Sequence, residues 1–233
     1  MNPIDSTTRG ITLYLHVHQP WRVRQYSIFD VASRHDYFSG GGHSAQDNEQ
    51  IFHGIAEKSY LEMNRVLERT LANHPEFKLS LSISGVFLEQ AQQFNPEVIR
   101  SFQRLVATGR VELLASPYYH SLAFFYSRRE FESQIALQKQ KIQDIFGVTP
   151  RVLANTELAY NNDLAKWAEA AGFRGVLAEG WDTVLGWRSP NFAYRPPETQ
   201  NIGLLLKNYR LSDDIAFRFS NQDWSEWPLT ADK

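Results

Sequence analysis

Val148-Thr-Pro-Arg-Val-Leu-Ala-Asn-Thr-Glu-Leu-Ala-Tyr-Asn-Asn-Asp-Leu-Ala-Lys-Trp167 is the stretch on which the reading of this chain turns. Arg151 to Ala154 reads as a short buried strand. Leu164, Trp167, Ala168 and Ala171 recur at helical spacing and read as the inner face of a helix that stops at Gly172. Between them lies Asn155-Thr156-Glu157-Leu158-Ala159-Tyr160. A carboxylate at the carboxyl end of a strand, just before the helix that covers it, stands where barrels and open α/β sheets carry reactive groups. Glu157 is therefore the first catalytic candidate, against the common fate of a glutamate as a solvated loop acid.

The same strand-then-helix pattern extends in both directions. Ile11 to His18 predicts a first strand, on which His16 and His18 share a face and Val17 points the other way. Two imidazoles on one strand face suit either a metal or a polar clamp on a ligand hydroxyl, or are simply buried and satisfied by neighbours. Leu79 to Ser84 alternates strictly and predicts a second strand, and Val111 to Ala115 a third that ends in Ser116-Pro117-Tyr118-Tyr119-His120. Further strands are expected at Gly175 to Ala178, Ile202 to Leu206 and Tyr209 to Leu211. Helical patterns lie between them, over Glu57 to Leu71, from Pro96 to Gly109, and from Phe131 to Gly147. About seven strands alternating with helices predict parallel βαβ units in a distorted (β/α)7-type barrel of class α/β, incomplete at its carboxyl end.

Trp21 to Gln50 is too long for an ordinary connection and too aromatic for disorder, with Trp21, Tyr26, Phe29, Tyr37 and Phe38. It reads as a substrate-facing loop. Its Gly40-Gly41-Gly42-His43 is not a phosphate loop, because no Gly-Lys-Ser/Thr follows. After the strand at Gly175 to Ala178, Trp181 is a candidate stacking platform. Late in the chain Asp213 and Asp214 lie side by side between apolar stretches. Paired with Glu157, either would complete the two-carboxyl arrangement that glycoside hydrolysis requires, one acid to donate a proton and one to attack or to activate water.

Composition narrows the partners. The 233 residues suffice for one sizeable α/β domain, and no low-complexity linker divides them, so residues 1–233 are expected to form one catalytic domain. The formal net charge of −2 offers no basic field for nucleic acid or an anionic membrane, and fits a neutral polymer. The chain has no cysteine, which removes disulfides, thiolate zinc sites and a cysteine nucleophile. The amino terminus carries no apolar signal core, and no segment approaches the roughly 18 apolar residues of a membrane span. The expected setting is the cytoplasm, with no membrane partner. Aromatic residues make up 13% of the chain, six of them tryptophan, enough both for a core and for rings that stack on sugar faces.

Four segments in order carry a resemblance. Leu15-His-Val-His-Gln-Pro20, Gly109-Arg-Val-Glu-Leu-Leu-Ala-Ser-Pro-Tyr-Tyr-His120, Ala154-Asn-Thr-Glu-Leu-Ala-Tyr160 and Ser212-Asp-Asp-Ile-Ala-Phe-Arg-Phe-Ser220 resemble four of the five signature regions of glycoside hydrolase family 57, in its α-amylase-type form. The resemblance implies a retaining hydrolase or transglycosidase acting on α-1,4-glucans or malto-oligosaccharides through a covalent glycosyl-enzyme. It implies Glu157 as nucleophile and an aspartate as acid/base, Asp214 ahead of Asp213. It also implies that His16 and His18 line the subsite of the cleaved sugar, and it favours substrate contact by His120 in the second region; Trp181, from its place after a strand, and Asp213 are expected as further substrate contacts. No metal and no cofactor are expected to take part. Family members similar to this chain continue past its end with a fifth region and a helical segment, so the chain is expected to be a truncated or partial form.

Two other readings compete. A metal-dependent polysaccharide deacetylase uses histidines and an aspartate pair to hold a metal that activates water, commonly through a His-x-x-x-His pair after an early Asp-Asp. Here no two histidines are four apart, and Asp213-Asp214 comes late. A non-catalytic carbohydrate-binding barrel would keep the fold and bind glucan without cleaving it. Hydrolysis and glucan transfer share one machinery and differ in whether water or a sugar hydroxyl reaches the intermediate.

Overall fold

The structure, a computed structural model, describes residues 10–33, 35–38 and 47–230. The amino-terminal residues 1–9, the glycine run Gly40 to Gly42 with His43, and the last three residues lie outside the described residues. The chain forms two compact units, Met1–Pro150 and Arg151–Lys233.

In the first unit β1 (Tyr14–Val17), β2 (Leu79–Ile83) and β3 (Val111–Leu114) form a parallel sheet in the order β1-β2-β3. Parallel neighbours need crossover connections, and helices supply them. From β1 the chain runs through the aromatic loop into α1 (Asn48–Ile55), one π-helical turn (Ala56–Tyr60) and α2 (Leu61–Asn73). The helix begins nine residues before the expected Glu57, because Asp47 caps it by accepting the Gln50 N–H at 2.9 Å. From β2 the chain passes through α3 (Gly85–Phe94) and α4 (Pro96–Ala107) to β3, and α5 (Arg128–Phe146) follows. Asn95 caps α4 with Pro96 in its first turn, Ser127 caps α5, and Gly147 ends α5 in the left-handed region at φ 71°.

The core lies between sheet and helices. Leu81 and Ile83 of β2 meet Phe52, Leu71, Phe87, Leu88, Phe102 and Leu105, all almost fully buried. Phe87 anchors it with edge contacts to Tyr60 at 4.8 Å and Phe102 at 5.9 Å between ring centres. Each such side chain contributes about 1.5–3 kcal/mol on burial.

The second unit repeats the scheme on a smaller scale. The strands β4 (Val152–Ala154), β5 (Gly175–Ala178) and β6 (Gly203–Leu206) pair in parallel in that order. The helix α6 (Asn162–Ala170), capped by Asn161, connects the first two, and the short α7 (Asp182–Leu185) follows β5. Leu164, Ala165 and Ala168 form the buried stripe of α6, close to the periodicity read from the sequence.

The α/β class and the parallel βαβ units are as the sequence predicts. Among the described residues six of the roughly seven expected strands pair, in two three-stranded sheets that do not close into a ring, consistent with a distorted (β/α)7-type barrel. The seventh expected strand, Tyr209 to Leu211, is helical: α8 (Tyr209–Asp213) continues into a π-helical turn, Asp214–Arg218. Asn208 decides this, since its side chain accepts the Leu211 N–H at 3.0 Å and caps a helix. Asp213 and Asp214 are thus helix neighbours about 100° apart around its axis.

One close approach shapes the edge of the first sheet. A Cβ on Gly85 would run into the ring of Tyr118, which covers the start of α3. Gly85→Ala should lower stability by about 1–3 kcal/mol, despite alanine's better helix propensity, because the ring must move. A lower urea midpoint with unchanged slope checks this, and a midpoint equal to or above that of the parent chain would contradict it.

Candidate functional site

Parallel strands send their carboxyl ends to one edge of a sheet, and in each unit the chemistry-bearing side chains gather there. In the first unit β1 pairs with β2 so that His16 lies opposite Ser82. Nδ1 of His16 is 2.7 Å from the Ser82 hydroxyl, which also meets the Tyr14 hydroxyl at 2.6 Å. Two residues on, Nδ1 of His18 is 2.8 Å from the hydroxyl of Ser84, which also accepts the Phe87 N–H and so caps α3. The two histidines share a face, as strand alternation requires. The serine face of β2 orients both imidazoles.

His120 joins them from the loop after β3. Its ring centre lies 4.6 Å from that of His16 and 4.3 Å from that of His18, and those two are 5.9 Å apart. One ligand atom from each of the three rings falls within 4.8 Å of the others. The backbone is held to deliver this. His120 sits in the left-handed region at φ 55°, a conformation that costs a non-glycine residue on the order of 1–2 kcal/mol. Its N–H donates to Pro117 O, and Gln134 of α5 accepts both the Tyr119 N–H and the Ser121 hydroxyl on either side. Gly85 N–H donates to Tyr118 O at 2.9 Å, fastening the loop to α3.

Glu89 lies on the same helix. It accepts the Tyr118 hydroxyl at 2.8 Å and the Trp21 indole N–H at 3.3 Å, tying the aromatic loop to the β3 loop. Burial, reinforced by the bond to Glu89, keeps the Tyr118 phenol protonated far above the usual tyrosine range. Within the aromatic loop the buried Arg24 lies 3.2 Å from Asp36 and over the ring of Tyr26, which stacks on Tyr37.

In the second unit Glu157 lies in the turn that follows β4, as expected. It is exposed, and it and Leu158 both adopt left-handed backbone, φ 55° and 54°. Two consecutive non-glycine residues in that region are a local strain of a kind that concentrates at functional sites. The turn is braced on both sides. Leu158 N–H donates to Asn155 O, the Asn155 amide donates to Ala159 O, and Glu179 N–H reaches Leu158 O at 3.1 Å.

That last bond brings in a residue the sequence reading passes over. Glu179 ends β5 as Glu157 follows β4, so the same strand-end signal could have found it. Its Oε2 is buried without a hydrogen-bond partner. Burial pushes its carboxyl above the usual range; the positive charge of Lys207 opposes the shift, and the negative charge of Glu157 adds to it. Gly180 beside it has no room for a Cβ against the Lys207 carbonyl, which pins the end of β5 to the end of β6.

Asp214 is half-buried and ion-paired with Arg218 one helical turn on, at 2.5 Å. Arg218 also feels Asp213 and Glu226, and its pKa is raised, chiefly by the bond to Asp214. Trp181 is exposed and precedes α7, and Trp187 beyond it is more exposed still, with Arg188 over its ring.

Parallel β/α units with imidazoles and carboxylates at their strand ends place the chain among α/β proteins that gather polar side chains at one sheet edge, and comparison with known proteins narrows the class. The family model described as glycosyl hydrolase family 57 matches residues 12–233, and the chain belongs to that family. It is 42% identical over 224 residues to a putative alpha-amylase of Methanocaldococcus jannaschii, covering 96% of this chain and 46% of that protein. Among solved structures it resembles the 4-alpha-glucanotransferase of Thermococcus litoralis, with a TM-score of 0.65 at 19% identity, over 89% of this chain and 29% of the other. It also resembles a family 57 branching enzyme of Pyrococcus horikoshii, with a TM-score of 0.63 at 16% identity, over 86% and 46% of the two chains. The chain thus spans under half the length of these relatives. No helix among the described residues is long and apolar enough to cross a membrane.

The electrostatics of Glu179 give a pH test. A carboxyl whose pKa is raised on folding favours the folded state while protonated, and that contribution is lost as pH rises through the folded pKa. Glu179→Gln removes the ionisation. The stability of the variant relative to the parent should therefore increase as pH rises from about 4.5 toward neutrality. Paired thermal melts across that range check it, and a constant difference between the two proteins would contradict the assigned shift.

Proposed function

We propose that this chain carries the catalytic β/α portion of a retaining glycoside hydrolase or transglycosidase acting on α-1,4-glucans and malto-oligosaccharides, in the manner of an α-amylase. The observation that carries the reading is the family match across residues 12–233, and Glu157 in the turn that follows β4 supports it. The reading takes the whole chain as one catalytic domain and the cytoplasm as its setting. It calls on no metal and no cofactor.

In this mechanism a Glu157 carboxylate oxygen attacks the anomeric carbon. The glycosidic C–O bond breaks as Asp214 gives its proton to the leaving oxygen, which leaves a glycosyl ester on Glu157. Asp214, now a carboxylate, takes a proton from water or from an acceptor sugar hydroxyl. That oxygen displaces Glu157 at the anomeric carbon and restores both carboxyl groups. For Asp214 to donate, its ion pair with Arg218 must open, so substrate binding has to compete with that pair. His16, His18 and His120 hold sugar hydroxyls, Trp181 offers an aromatic face, and Asp213 contributes a further substrate contact. Which nucleophile reaches the ester decides between hydrolysis and glucan transfer.

The strained, braced turn at Glu157 supports its role, since a nucleophile must be held at the reacting carbon rather than sweep solvent. A deacetylase reading fits less well, because the histidine cluster consists of His16, His18 and His120 with no aspartate among them. A non-catalytic glucan binder would keep the histidine cluster and show no turnover.

Activity is best measured on this chain and on one joined to the remaining length that its relatives carry, with a malto-oligosaccharide series. Glu157→Gln should lower turnover by about 10³-fold or more with an unchanged circular-dichroism spectrum. Asp214→Asn should lose activity that azide partly restores, while Asp213→Asn should weaken substrate binding more than turnover. Near-parent rates in Glu157→Gln, or azide rescue confined to Asp213→Asn, would reassign the roles. Glucan retention without turnover in both parent forms would favour the non-catalytic reading.

A further inference from the structure

The three imidazoles at the end of the first sheet have a second chemistry available. We propose that His16, His18 and His120 form a binding site for a zinc-class divalent cation. Such an ion occupies the cluster in place of a ligand hydroxyl and takes no part in the reaction.

Three features carry this. The first is spacing. Zn–N bonds of about 2.0–2.1 Å put the centres of two coordinated imidazoles on the order of 5 Å apart. The centres here are separated by 4.3, 4.6 and 5.9 Å, and one ligand atom from each residue lies within 4.8 Å of the other two.

The second is orientation. A histidine that binds a metal through one ring nitrogen is usually fixed by a hydrogen bond at the other. Nδ1 of His16 meets the Ser82 hydroxyl and Nδ1 of His18 meets that of Ser84, at 2.7 and 2.8 Å. With each Nδ1–H donated to its serine, Nε2 is the coordinating atom. Ser82 is itself held by Tyr14, and Ser84 by its place as the cap of α3, so neither partner is loose.

Rigidity is the third. His16 lies within β1 and His18 just beyond it, and His120 is delivered by a left-handed residue flanked by the two hydrogen bonds to Gln134. Three ligands on a fixed frame leave positions open for water or an anion, as in metal sites that keep open coordination. Imidazole is a favoured ligand for zinc, copper and nickel and a poor one for calcium or magnesium, which sets the class of cation.

The site stands on the three imidazoles alone. Only its competition with glucan rests on the sugar-clamp role proposed above. Calorimetric titration of this chain with zinc chloride should show one ion bound per chain. His16→Gln, His18→Gln and His120→Gln should each weaken binding by about tenfold or more, and Ser82→Ala, which keeps all three ligands, by about tenfold. His53→Gln and His74→Gln should change nothing, and circular dichroism should show every variant folded. No binding by the parent chain, or binding indifferent to the three histidines, overturns the proposal. A malto-oligosaccharide that binds the chain should weaken the apparent zinc affinity. If zinc binds through the three histidines and the sugar leaves it unaltered, the cation site holds and the sugar clamp fails.

Discussion

The parallel register of β1 on β2 is the constraint from which the first unit's site follows. Placing His16 opposite Ser82 puts a hydroxyl within reach of the imidazole, and the period of two puts His18 above Ser84 on the same face. A slip of one residue would turn both histidines to the face that Val17 occupies, into the core, and leave the serines without them. The core protects the register. Leu81 and Ile83 alternate with Ser80, Ser82 and Ser84, so apolar burial fixes which edge of β2 the hydroxyls line. Ser84 then serves two elements at once, orienting His18 and starting α3.

The same economy runs through the loop after β3. Tyr118 lies over Gly85, gives its hydroxyl to Glu89 and offers its carbonyl to the first turn of α3, while Gln134 of α5 holds the residues on both sides of His120. The strained backbone of His120 is affordable only because these bonds determine it several times over. In the second unit the turn at Glu157 and Leu158 is held in the same fashion by Asn155 and by the backbone of Glu179. The strand ends that carry the candidate groups are thus each held by several hydrogen bonds.

Much of this was legible in the sequence, for identifiable reasons. The helical period of Leu164, Ala165 and Ala168 reflects burial directly, whereas the alternation in Leu79 to Ile83 separates an aliphatic face from a serine face on which Ser82 is buried too. The strand-end position of Glu157 and the shared face of His16 and His18 follow from local geometry. What failed was local competition. Tyr209 to Leu211 looked like a short strand because its apolar content is strand-like, but a capping asparagine at position 208 outweighs three residues of propensity. The start of α1 at Asn48 was hidden in the same way by the Asp47 cap. Nothing local could place His120 beside His16, since that contact depends on Gln134 and on strand pairing across a hundred residues. Glu179 carried the signal that singled out Glu157 and went unread beside the more conspicuous Trp181.

The central claim is that Glu157, held at the end of β4, attacks carbon rather than activating water. Two displacements at the anomeric centre return the configuration of the substrate, whereas one reverses it. Proton magnetic resonance of the first products from an α-1,4-linked malto-oligosaccharide, recorded before mutarotation, reads this directly. It requires a catalytically active form, this chain or the chain joined to the remainder its relatives carry. The account predicts the α-anomer as the initial product, and initial β-anomer would contradict it.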